Sequence, residues 1–201
     1  MRNVYRKGLK LSNNECDFIY KIILKELCSI DPIKIALDPY HLLNQDSQNI
    51  LIHSLNQISK NYPIDYIINK KNFYGYDFYV DENVLIPRPE SELIVDRVIG
   101  YLNSVDDKDL AKSVIDLGAG SGALSIAIST EAALKGLKIS MVAVEKSAEA
   151  AAWLNKNIAK YDLPIRVVIE DVATALPDVK ADLVVANPPY IPNDEKLPKE
   201  V

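Results

Sequence analysis

The chain has 201 residues, 48% hydrophobic and 25% charged, enough for one ordinary domain and a smaller one with cores to bury. A net charge of −5 argues against a protein that binds nucleic acid chiefly through its phosphates, while leaving a local basic groove compatible. Cys16 and Cys28 have no paired spacing and no secretory leader precedes them, so free thiols in the cytoplasm, and no membrane partner, are expected.

In chain order, residues 12–27 open with Ser12-x-x-Glu15, a capping-box pattern, and carry Phe18, Ile19, Ile22, Ile23 and Leu27 at helical spacing. Asp31-Pro32 marks a second helix start, and residues 50–58 supply another apolar stripe, so residues 1–70 read as a small helical domain. His41 and His53 fall in helical segments away from every motif and are expected to be scaffold, with no metal site. Residues 71–90 follow as a hairpin and linker: Phe73, Tyr74, Tyr76, Phe78 and Tyr79 alternate around Gly75. Most of these aromatics are expected to pack the two domains together, with one lining a pocket. A helix over 90–102 turns Leu93, Ile94, Val98, Ile99 and Leu102 inward, and 105–109 reads as a solvated charged loop.

The remainder, residues 91–201, alternates strand and helix. Residues 113–117 form a short buried strand that runs into Gly118-Ala119-Gly120-Ser121-Gly122 and then an apolar helix start at Ala123. Strand, glycine turn and helix make the first unit of a nucleotide-binding α/β sheet, in which glycines let a ligand approach the backbone. The next strand, 139–144, ends at Glu145, an acid placed to accept from both hydroxyls of a ribose. A helix over 147–160 and strands over 166–169 and 181–186 complete the pattern. Gly118, Gly120 and Ala123 also satisfy the looser dinucleotide fingerprint, so the glycines alone leave NAD open.

The last strand delivers Asn187-Pro188-Pro189-Tyr190, which suits an amino group on a planar carbon. Such a nitrogen is a poor nucleophile because its lone pair is delocalised. A side-chain carbonyl from Asn187 and a backbone carbonyl from Pro188 would take its two N–H bonds and favour the positive charge that builds during attack. Pro188 and Pro189 stiffen the turn and present acceptors only, and Tyr190 offers a flat wall. Hydride transfer has no use for this arrangement, whereas methyl transfer to an amide nitrogen does.

Together, Asp116 to Gly122, Glu145 and Asn187 to Tyr190 resemble the class I methyltransferases that use S-adenosylmethionine. Pro63-Ile64-Asp65-Tyr66-Ile67, Phe73-Tyr74-Gly75 and the run from Tyr79 through Pro87-Arg88-Pro89-Glu90-Ser91-Glu92 resemble the release factor glutamine N5-methyltransferases in particular. The resemblance implies a Rossmann-like parallel sheet preceded by a helical domain that helps dock the protein substrate. It implies S-adenosylmethionine held by Gly118, Ala119, Gly120, Ser121, Gly122 and Glu145, with Asp171 and Val172 at the adenine and Asn187 beside both reactants. The acceptor it implies is a glutamine of a peptide chain release factor, in a Gly-Gly-Gln context. Two departures stand out: Val172 replaces an aromatic found in some relatives, and Glu145 an aspartate. Two other readings share the motifs, N6-adenine methylation of DNA or RNA and a cofactor-binding remnant without activity. A class I sheet needs three more strands beyond the one that carries Asn187, so the chain is expected to be truncated.

Overall fold

A computed structural model describes residues 12–38, 42–105, 110–174 and 180–187. The charged loop 106–109, His41 and everything after Asn187 lie outside the described residues. The chain divides into two compact units, the first ending at Asn69 and the second starting at Lys70.

In the first unit the first three helix starts are each written by a polar side chain that captures a free backbone N–H. Helix α1 (Asn13–Cys28) has the expected capping box, with Ser12 Oγ accepting from Glu15 N and Glu15 Oε2 from Ser12 N. Helix α2 (Pro32–Leu37) starts on proline behind Asp31, whose carboxylate accepts from Ile33 N at 2.9 Å. Helix α3 (Gln45–Ile58) is capped by Asn44, whose Oδ1 accepts from Ser47 N at 2.8 Å. Ile23, Leu51 and Leu55 form the core, with Ile19, Ile22, Leu27 and Ile58 packed against it. Phe18 does not join them. It is exposed, because the buried stripe of α1 centres on Ile23 and Leu24 and leaves Phe18 on its flank. A short helix, α4 (Ile64–Ile67), ends the unit.

The second unit opens with an antiparallel hairpin, β1 (Lys70–Phe73) and β2 (Tyr76–Tyr79), paired from Lys70↔Tyr79 to Phe73↔Tyr76. Its two turn residues, Tyr74 and Gly75, both take positive φ (52° and 80°), the turn that matches strand twist. Tyr74 is held there: its N–H donates to Glu92 Oε1 at 2.7 Å and its hydroxyl to Asp96 Oδ1 at 2.6 Å. Phe73 and Phe78 are buried edge to face. A 3-10 turn (Pro89–Ser91) precedes α5 (Glu92–Ser104), so the α-helix begins two residues later than the sequence reading, after the prolines have been absorbed. Val95, Val98, Ile99 and Leu102 are its buried face. Leu93, expected inward, is 61% exposed, since the stripe starting from Val95 leaves it on the far side.

Then come β3 (Lys112–Leu117), α6 (Ala123–Leu134), β4 (Ile139–Glu145), α7 (Ala148–Tyr161), β5 (Arg166–Ile169) and β6 (Leu183–Ala186). The four strands form one sheet in the order β5-β4-β3-β6, and every neighbouring pair is parallel. Helix α6 is buried almost all round, which is why it reads as apolar rather than amphipathic; even Ser125 and Ser129 are inside. Strand β6 starts two residues after the expected 181. Asp182 explains the difference: its N–H donates to Ser113 O at 2.9 Å and its carboxylate, in place of a strand carbonyl, accepts from Ser113 N at 2.7 Å.

Candidate active site

Register brings the site together. Leu117 pairs with Ala186 on one side and Val144 on the other, so Gly118, Asn187 and Glu145 emerge side by side at the carboxyl edge of the sheet. Chain order reverses there: β3 leads to β4 and β5 in one direction, while β6 returns to the other flank. In open α/β sheets ligands bind outside the carboxyl ends at such a switch point.

An open-sided cleft occupies this edge. Gly118, Ala119, Gly120 and Ser121 line it, as do Asp116, Asn187, Phe73, Leu85, Pro87 and Ser91. Phe73 is thus the aromatic that reaches the pocket, and Pro87 and Ser91 bring the Pro-Arg-Pro-Glu segment to its rim. The other hairpin aromatics make contacts inside this unit: Tyr76 donates to Glu131 Oε1 at 2.8 Å and stands edge to face with Tyr161.

The glycine turn is tied down at both ends. Gly118 N and Ala119 N both donate to Val144 O at 2.9 Å, and Gly122 N donates to Ala119 O at 2.8 Å. Gly118 and Gly120 adopt positive φ, 74° and 54°, and nothing stands within 4 Å of where a Cβ would project, leaving bare backbone facing open space. Gly122 serves packing instead, because a Cβ there would sit 2.5 Å from Leu154 Cδ1. Glu145 braces the turn through Oε2, which accepts from Gly120 N at 2.8 Å, and its Oε1 accepts from Ser147 N at 3.0 Å. Each oxygen keeps a second lone pair for a ligand hydroxyl.

Asp116 is 1% exposed. Its Oδ2 accepts from Ser125 Oγ at 2.6 Å and Ser125 N at 3.1 Å, while Oδ1 is buried without a partner. Burial pushes its carboxyl up to about 6, against the opposing pull of the Ser125 hydrogen bonds. An orphan carboxylate oxygen in the wall of a cleft suits a cationic ligand. Beside it, the bare glycine backbone and the free lone pairs of Glu145 suit a ribose, so the residues present fit S-adenosylmethionine.

Asn187 Nδ2 donates to Ser91 Oγ at 2.7 Å. Pro188, Pro189 and Tyr190 lie outside the described residues. Asp171 follows β5 and is engaged elsewhere: Lys146 Nζ stands 2.8 Å from its Oδ2, and Ala173 N donates to Oδ1 at 2.9 Å. The Lys146 hydrogen bond holds the Asp171 carboxyl below its usual range. Neither Asp171 nor the exposed Val172 lines the cleft.

Sequence reasoning assigned no role to Ser91, Ser125 or Asn157. Asn157 is fully buried: Oδ1 accepts from Tyr79 N at 2.7 Å, and Nδ2 donates to Tyr79 O at 3.0 Å and Ser121 O at 2.8 Å. It fastens the glycine turn to the end of the hairpin. The signal available was a polar residue one turn beyond Leu154 on the apolar stripe of α7; for Asp116 it was a charge inside an otherwise apolar strand.

Residues 94–199, just over half of the chain, match the family described as "Methyltransferase small domain". The release factor glutamine methyltransferase of Mycoplasma mycoides is 32% identical over 205 residues, covering 97% of this chain and 67% of that protein. The chain belongs to the release factor glutamine methyltransferase family. Two further members, from Caulobacter vibrioides and Leptospira interrogans, are 36% and 34% identical over 87% and 88% of the chain. The chain spans 58% and 60% of the length of those two relatives. Among the described residues, no helix is long and apolar enough to cross a membrane, and no group of three or more His, Cys, Asp or Glu could hold a metal ion.

Proposed function

We propose that this protein methylates the side-chain amide nitrogen of a glutamine in a peptide chain release factor, with S-adenosylmethionine as donor. The observation that carries the reading is the junction of Asn187 with the glycine turn in one cleft at the switch point. When bound, the cofactor supplies a methyl group on a sulfonium, an electrophile that needs no further activation.

The chain's own residues would do the rest. The turn from Gly118 to Gly122 gives the cofactor room against the bare backbone of Gly118 and Gly120, Glu145 accepts from its ribose, and Asp116 Oδ1 offers a carboxylate to its positive charge. Asp171 and Val172 are the residues proposed for the adenine. Asn187 Oδ1 and the Pro188 carbonyl accept the two N–H groups of the substrate amide, so that its lone pair faces the methyl carbon. Pro189 stiffens this loop and Tyr190 supports the amide plane. Aligning two reactants in this way is worth about 7–11 kcal/mol. The first helical unit is the proposed docking surface for the release factor, and nucleic acid enters only through the ribosome.

The test is methyl transfer to a folded release factor, read by mass spectrometry. Asn187→Ala should cut turnover by about 100-fold or more while calorimetric binding of S-adenosylmethionine stays within a few-fold. Methylated adenine with an unmodified release factor would replace this reading with nucleic-acid methylation.

A further inference from the structure

Asn187 can accept the N–H of a substrate amide only while its side chain is held with the oxygen end toward the ligand. It therefore serves its proposed part from one placement of the side chain. We propose that Ser91 is the positioning residue that anchors it there. This inference rests on the amide-methylation reading above and adds a residue to it.

The geometry has three parts. Ser91 Oγ takes the Asn187 Nδ2 donor at 2.7 Å, which leaves Oδ1 as the end available to a ligand. Ser91 is itself fixed: it is 8% exposed, it closes the 3-10 turn that begins at Pro89, and its backbone N–H donates to Arg88 O at 3.0 Å. Both residues line the same cleft as the glycine turn. The two residues are 96 positions apart, so no local backbone preference sets the contact. The rigid Pro-Arg-Pro-Glu segment acquires a purpose in this light, because proline at the first position of the turn fixes φ and thereby the placement of the Ser91 hydroxyl.

The consequence is specific to the acceptor. Without the hydroxyl, the Asn187 side chain loses its anchor and samples other rotamers, and the acceptor nitrogen is misaligned in a fraction of bound complexes. Cofactor contacts are untouched.

The experiment uses the full-length protein with S-adenosylmethionine and a folded release factor, comparing the parent, Ser91→Ala and Ser91→Thr. Ser91→Ala should lower kcat about tenfold, the loss of one buried hydrogen bond, with the KM for release factor and the Kd for S-adenosylmethionine each within about twofold of the parent. Ser91→Thr keeps a hydroxyl at the same place and should recover kcat to within about threefold. In the Asn187→Ala background, Ser91→Ala should cause no further loss, because its effect runs through that amide. Parental kcat in Ser91→Ala would overturn the inference, as would an equal loss in Ser91→Thr or a weakened cofactor Kd. A parent that methylates adenine and no glutamine would instead sink the underlying reading, and the assignment of Ser91 with it.

Discussion

The two units use polar side chains in opposite ways. In the helical unit, Ser12, Asp31 and Asn44 hydrogen-bond to backbone groups two or three residues away, in solvent or near it. At the carboxyl edge of the sheet, Asp116, Asn157 and Asn187 reach 9, 36 to 78 and 96 residues along the chain, and two of them are completely buried. Local bonds define where an element begins and cost little to lose, because water replaces them. Long-range buried bonds define where elements stand relative to each other, and each strands its partners when removed.

That contrast can be broken by experiment. The largest effect should come from Asn157→Ala, which leaves Tyr79 N, Tyr79 O and Ser121 O without their partner; a loss of about 3–4 kcal/mol in denaturant unfolding is expected. A loss no larger than that of a helix cap would abolish the distinction drawn here.

Next is Asp116, whose carboxyl is pushed up to about 6 by burial. The folded chain then holds this proton more tightly than the unfolded chain, so the group's stabilising contribution is complete below about pH 4 and is lost as the pH rises to about 6. Asp116→Asn keeps an acceptor for Ser125 and cannot titrate. Its stability relative to the parent should improve by about 2–3 kcal/mol between pH 4 and pH 7, from a shift of roughly two pH units. Parallel pH profiles for the two proteins would show that Asp116 is ionised without penalty.

The smallest effect belongs to Asn44→Ala, which removes one exposed-end cap and should cost about 1 kcal/mol with no change in S-adenosylmethionine affinity. A cofactor Kd that moved with it would mean the helical unit is not separable from the site in the way the contrast supposes.

The same contrast governs what the sequence made legible. Helix starts at Ser12 and Asp31, the strand that ends at Glu145, the glycine turn and β5 were all readable, because each is written in adjacent residues: a cap, a proline, an apolar run, a turn. Asp116 and Asn157 were visible only as polar residues in apolar surroundings, and nothing local says which distant group each one meets. Phe18 and Leu93 failed for a related reason. Both fit a helical stripe by spacing, but the stripe is three or four residues wide, and the packed neighbour decides which margin is covered. The late start of β6 likewise depends on Ser113, 69 residues earlier.

Asp182 and Ser113 have a further consequence for β6. Val185 is buried in this strand and Val184 is 56% exposed. A slip of one residue would exchange one valine for the other, so hydrophobicity barely distinguishes the correct alignment from its nearest error. The distinction is made at the start of the strand, where Asp182 grips both backbone groups of Ser113. A slip would carry Asn187 about 3.3 Å along the sheet and turn its side chain to the other face. Asp182 thus acts as an index mark for the opposite end of the strand: an exposed aspartate at the bottom of the sheet sets where the amide at the top is delivered.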